Sequence, residues 1–132
     1  MRVRACGVCR RDILVRRSKA REGLAAPLVL GHEVVGEVVA LGSGARGFAA
    51  GDRVCSTQLE RVSGSCAMCR SGRETLCPEM RFLGQEVPGG YAEYVLVQYD
   101  NLARLPATVG FAEGSIVACT VGTTYKAVCD TG

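Results

Sequence analysis

A chain of 132 residues with 48% apolar and 22% charged residues has the make-up of a globular domain with room for a buried core. Its net charge of +3 is too mild to imply nucleic acid, and no apolar run approaches the ~20 residues that a bilayer requires; neither is an expected partner. Eight cysteines, with no secretory leader after Met1-Arg2-Val3-Arg4, point to a reducing, cytoplasmic setting, where clustered thiols hold metal or do chemistry more often than they pair.

The chain opens on a basic segment, Arg2, Arg4, Arg10, Arg11, Arg16, Arg17, Lys19 and Arg21 against Asp12 alone. A solvated basic face is the expected reading, and binding of a phosphate-bearing ligand the sharper alternative. The same segment holds Cys6-Gly7-Val8-Cys9, a C-x-x-C pair that by itself suits a zinc knuckle or a redox dithiol; the βαβ surroundings of a redox dithiol are not expected here. Val34 to Gly42 is β-branched and closes on glycine, which predicts a buried strand and a turn, and a second short strand is expected at Arg53-Val54-Cys55. Ser63 to Pro78, rich in Gly, Ser and Cys, predicts an irregular lobe. Pro88-Gly89-Gly90 predicts a turn into a half-buried strand over 91–97. A short helix over 111–119 follows, with another opening near Thr123-Thr124. The expected fold class is mainly β with short helices.

The only histidine, His32, stands in Gly31-His32-Glu33-Val34-Val35-Gly36. A lone histidine beside a strand is more often structural than a ligand, but its neighbours reverse that reading. Gly31, His32, Glu33, Gly36, Gly42 and Ala45 together resemble the signature of the zinc-containing alcohol dehydrogenases, within the medium-chain dehydrogenase/reductase superfamily. Cys6-Gly7-Val8-Cys9-Arg10-Arg11-Asp12 upstream resembles a family block. So do Gly51-Asp52-Arg53-Val54, Gly90-Tyr91-Ala92-Glu93-Tyr94 and Cys119-Thr120-Val121-Gly122-Thr123-Thr124-Tyr125 downstream, in the family's order. The resemblance covers nearly the whole chain. It implies a GroES-like irregular, partly open β-barrel over residues 1–132, expected to lack the family's first strands and its nucleotide-binding Rossmann domain. It also implies zinc-dependent, NAD- or NADP-linked interconversion of an alcohol and an aldehyde or ketone. The nucleotide is expected to be bound mainly by the absent domain, so that the isolated chain turns over nothing; homo-oligomers are usual in the full-length family.

The resemblance assigns Cys9, His32 and Cys119 as ligands of a catalytic zinc. Two thiolates and one imidazole, the donor set general to alcohol dehydrogenases, leave one tetrahedral position for a substrate oxygen, where the metal lowers an alcohol's pKa or polarises a carbonyl. It implies that Asp12 orients His32 through the second ring nitrogen and that Glu33 is the acid behind the metal. Cys6 is expected to pack, and Cys55 and Cys129 to be buried small hydrophobes. The lobe resembles the structural-zinc loop C-x2-C-x2-C-x7-C. Cys66, Cys69 and Cys77 fit its last three places, but Ser63 occupies the first, so this second zinc site is expected to be incomplete. Arg11 replaces the Ser or Thr that relays a proton in alcohol dehydrogenases. An arginine stays protonated and suits a phosphate or carboxylate, which keeps an enoyl-thioester (acryloyl-CoA-type) reductase as a second enzymatic reading. A non-catalytic truncated zinc-binding module is the third.

Overall fold

Arginines alternate with small apolar residues at the start of the chain, so Arg2 and Arg4 face solvent while Val3 and Ala5 turn inward, the period of a strand with one wet face. The computed structural model describes residues 1–17 and 28–131. In chain order the described elements are β1 (Arg2–Gly7), α1 (Arg10–Arg17), β2 (Glu33–Glu37), β3 (Arg53–Ser56), β4 (Leu59–Arg61), α2 (Ala67–Arg70), β5 (Arg81–Phe82), β6 (Leu102–Arg104), α3 (Phe111–Ser115) and α4 (Gly122–Thr131). Four strands form an antiparallel sheet in the order β1-β2-β3-β6, and β4 and β5 pair as a separate ribbon. The expected mainly β class with short helices holds. The sheet is open rather than closed as a barrel, with β1 and β6 at its two edges.

Strand β2 is the centre of the fold because both of its faces are covered. Val34 packs with Leu83 and Val95 on one side, and Val35 packs with Cys55 and Leu105 on the other. Each valine side chain so buried contributes about 1.5–3 kcal/mol relative to leaving it in water. A strand clamped from both sides holds its first residue, Glu33, and His32 just before it still.

Several elements depart from expectation. The strand expected over 34–42 ends its regular pairing at Glu37, with one further pair of bonds between Val38 and the turn at Gly51-Asp52. Gly42, Gly44 and Gly47 have the spacing of a phosphate-binding G-x-G-x-x-G turn after β2, against the expectation that no such sequence follows a strand. No helix follows it; the chain returns as β3, antiparallel to β2, so the motif lacks the βαβ setting that gives it meaning. Residues 91–97 make only a bridge between Tyr94 and Arg2, with bonds from Val3 N to Glu93 O and Val95 N to Met1 O. Pairing goes no further along 91–97, and Leu96 is 90% exposed. The helix expected over 111–119 is split into α3 and a π-helical turn Val117–Val121, while the second helix, expected to open near Thr123-Thr124, begins at Gly122 as α4. The basic segment is β1 and α1, with Arg2, Arg4, Arg10, Arg16 and Arg17 exposed as a solvated face; Lys19 and Arg21 lie outside the described residues. Among the described residues no helix is long and apolar enough to cross a membrane.

Candidate metal centre

Three separate stretches of chain deliver one cluster. Cys9 sits in the turn between β1 and α1, His32 and Glu33 open β2, and Cys119 lies in the π-helical turn, whose Val121 N–H bonds back to Ile116 O at 3.0 Å. Such widened turns redirect side chains within a helix and recur at functional sites. One ligand atom from each of Cys9, His32, Glu33 and Cys119 lies within 4.8 Å of the others. Cys9, His32, Glu33 and Cys119 are therefore brought together.

Asp12 organises the cluster. Its Oδ1 accepts from Gly31 N at 3.2 Å and lies 3.1 Å from His32 Nδ1; its Oδ2 accepts from Cys9 N at 2.9 Å and from the Tyr91 hydroxyl at 3.0 Å. One buried carboxylate thus ties together both ends of the cluster. With Nδ1 donating to Asp12, Nε2 presents its lone pair inward, and it is fully buried with no hydrogen-bond partner. A buried imidazole nitrogen left without a partner costs desolvation energy unless a cation takes its lone pair. Two thiols and a carboxylate around that nitrogen are the donors a zinc ion takes, so the residues fit the metal.

Glu33 is 1% exposed. Its Oε1 accepts from the Thr120 hydroxyl at 3.0 Å, and its Oε2 lies where a side chain on Gly7 would stand, so a larger residue there would have to displace the Glu33 carboxylate. Gly31 is constrained twice: its φ is +98°, and a Cβ would approach Tyr91 to 2.7 Å and Cys6 Sγ to 2.9 Å. Burial, with Cys9 and Glu33 close by, pushes the Cys119 thiol up to about 12. A thiol in that setting gives up its proton when a cation arrives to share the sulfur.

The lobe is the second cluster. Cys66 Sγ lies 3.5 Å from Cys69 Sγ and 3.9 Å from Cys77 Sγ. Sulfurs on one tetrahedral zinc with bonds of about 2.3 Å stand about 3.8 Å apart, so this spacing also fits a metal. Ser63 completes the figure: its Oγ is 3.7 Å from Cys69 Sγ and 3.6 Å from Cys77 Sγ, and it accepts from Cys66 N at 3.2 Å. The hydroxyl stands where a fourth ligand belongs. Cys66, whose sulfur receives hydrogen bonds from Ser63 and the Cys69 N–H, is drawn down to about 6.

The alcohol dehydrogenase GroES-like domain family matches residues 1–107. The chain belongs to this family. An alcohol dehydrogenase from Geobacillus stearothermophilus is 38% identical over 132 residues, which is all of this chain and 39% of that protein. Among solved structures, an NAD-dependent alcohol dehydrogenase superposes with a TM-score of 0.92 at 36% identity, covering 98% of this chain and 38% of that one. AibC superposes with a TM-score of 0.88 at 41% identity, covering 99% and 36%. The chain thus spans about two fifths of the length of the curated relative.

Cys119 lies past the residues matched by the GroES-like family and reaches the cluster through the π-helical turn. Sequence reasoning missed Tyr91 and Thr120, the hydroxyls that hold Asp12 and Glu33. Each stands in a block that was recognised, but no spacing rule says which carboxylate a hydroxyl will find. Cys6 packs beside Val34, Leu83 and Val95, and Cys55 is buried, as expected. Cys129 is exposed on α4 rather than buried, because α4 extends away from the sheet with no residue covered.

Proposed function

We propose that these 132 residues are the catalytic domain of a zinc-dependent oxidoreductase that interconverts an alcohol and an aldehyde or ketone with NAD(H) or NADP(H). The observation that carries this reading is the orphaned His32 Nε2 beside the thiols of Cys9 and Cys119. A zinc ion bound there supplies Lewis-acid polarisation of the substrate oxygen. Cys9, His32 and Cys119 hold it, and Asp12 keeps the imidazole in the tautomer that ligates. Glu33, restrained by Thr120, would stand as the acid behind the metal, within reach of it. A nicotinamide nucleotide, held chiefly by the part of the relatives' length outside these residues, would supply the hydride acceptor or donor for the substrate carbon. In the lobe, Cys66, Cys69 and Cys77 hold a second, structural zinc with the Ser63 hydroxyl as the weak fourth ligand.

Zinc per chain, measured by mass spectrometry of metals in the wild type and in His32→Ala, tests the reading. Two equivalents are expected in the wild type and one in the variant. Unchanged zinc in His32→Ala removes His32 from the ligand set and the catalytic proposal with it.

A further inference from the structure

Arg11 has no part in the mechanism above, yet it is held more firmly than any other described arginine of the basic segment. Its backbone N–H points at Cys9 Sγ at 3.5 Å, so its side chain leaves α1 beside a donor of the buried cluster. The guanidinium is fixed from three directions: Nη1 donates to Gln58 Oε1 at 2.7 Å, Nη2 donates to Gln85 Oε1 at 2.6 Å, and its carbon stands 4.0 Å from the centre of the Phe82 ring. Gln58 is tied to this wall by the bond from Leu83 N to its carbonyl, and Gly84 lies against the backbone of Gly31, next to His32. The platform therefore borders both the Cys9 and the His32 sides of the centre.

All three supports are neutral. Among the described residues the ion pairs are His32 with Asp12, Arg104 with Asp52 and Lys126 with Asp130, and none includes Arg11. A guanidinium has more N–H donors than two amide oxygens use. Stacking and two amides set the plane of the fork without cancelling its charge. A half-buried cation that is oriented but not neutralised is complementary to an anion that arrives from outside.

We infer that Arg11 is an anion-binding subsite of the substrate pocket: the compound whose oxygen meets the metal also carries a carboxylate or a phosphate, which Arg11 engages. This rests on the catalytic reading of Cys9, His32 and Cys119. Gln58, Gln85 and Phe82 are positioning residues that aim the guanidinium.

Two measurements on the whole 132-residue chain test it. In the first, the Arg11 Nε–H resonance, assigned by its loss in Arg11→Gln, is followed by NMR as propanoate or inorganic phosphate is added, against chloride at matched ionic strength. A saturable shift with one anion identifies its class; no shift beyond the chloride response with either overturns the subsite, whatever the metal content. In the second, the visible bands of the cobalt-loaded chain follow binding of two matched pairs, butanal with 4-oxobutanoate and glyceraldehyde with its 3-phosphate. In one pair the charged member is expected to bind on the order of tenfold tighter than the neutral one. That advantage is expected to vanish in Arg11→Gln and survive in part in Arg11→Lys. Equal affinities within both pairs in the wild type overturn the subsite and leave the metal reading intact. Bands that respond to no aldehyde overturn the metal reading instead, and the resonance then decides Arg11 on its own.

Discussion

The two sulfur clusters of this domain reach similar geometry from opposite starting points. The lobe draws all of its donors from residues 63–77, with Cys66 bonded to the Cys69 N–H by the start of the short helix α2; local chain geometry suffices. The buried cluster draws on residues 9, 32 and 119, and its members meet only because β2 is clamped on both faces and the π-helical turn aims Cys119 back at it. Surroundings differ in the same sense. In the lobe, polar hydrogens lower a thiol, whereas in the buried cluster desolvation raises one. A site assembled across the fold depends on its supports, and a local site depends on its ligands.

The largest effect expected from that contrast is at Asp12. Asp12→Asn keeps the shape but replaces a carboxylate that accepts from four donors with an amide that presents hydrogens of its own to some of them. Zinc affinity of the buried centre should fall on the order of 100-fold, the upper end for losing the partner of a metal-bound histidine, and the metal-free fold should lose about 3 kcal/mol. Competition with a chelator reads the first and urea denaturation the second. Lobe affinity should not change; a parallel loss there would mean that the two sites are not independent.

In the lobe the weak point is a ligand, so changing the ligand is the informative experiment. Ser63→Cys should tighten zinc there by about tenfold or more, since a thiolate is the softer and charged donor, and Ser63→Ala should loosen it. Neither should alter the buried centre. If Ser63→Cys binds no better than the wild type, the hydroxyl is not at the fourth corner.

Legibility in the sequence followed the same division. Cys66, Cys69 and Cys77 were legible through resemblance to the family's structural-zinc loop, and their short spacing makes the match easy to see, because a loop of this length can place its own thiols. The convergence of Cys9, His32 and Cys119 was also legible only through that resemblance, and the physical reason for it, the double-sided burial of Val34 and Val35, is a property of the assembled sheet. The alternation at Arg2-Val3-Arg4-Ala5 did carry the signal of β1, but it was read as charge instead of period. The split of the expected 111–119 helix and the arrest of 91–97 as a single bridge were illegible for a common reason: both are decided by what the backbone finds next to it. Gln58 and Gln85 gave no warning at all, since an amide becomes a support for Arg11 only once β4 and β5 fold beside α1.

Thiol chemistry in the metal-free chain should separate the clusters by pH. Alkylation by iodoacetamide, mapped by peptide mass spectrometry, is expected at Cys66 with a rate that climbs through about pH 6 and then levels, because its thiolate is formed there. Cys119, held up to about 12 chiefly by burial, should stay unreactive across the neutral range. The sign for stability follows from the same shift. A thiol whose folded pKa lies above its ordinary value of 9.0 favours the fold while it is protonated, fully so below about pH 9, and that contribution is lost as pH rises toward about 12. The metal-free chain should therefore weaken at alkaline pH, and zinc should remove both the weakening and the reactivity of Cys66.

The smallest effect is at Tyr91, where the hydroxyl donates to Asp12 but the side chain as a whole is 41% exposed. Tyr91→Phe removes one of the two bonds to Oδ2 and keeps the ring against Gly31. Water can reach a position so close to the surface and replace the lost donor, so the cost should be about 1 kcal/mol, with a drop in zinc affinity well short of that for Asp12→Asn. The two substitutions share one carboxylate, so their effects should not add. In the double variant, Tyr91→Phe should cost almost nothing further, because the charge that strengthened its bond is already gone. A full additional loss in the double variant would show that Tyr91 supports the centre through its packing on Gly31, independently of Asp12.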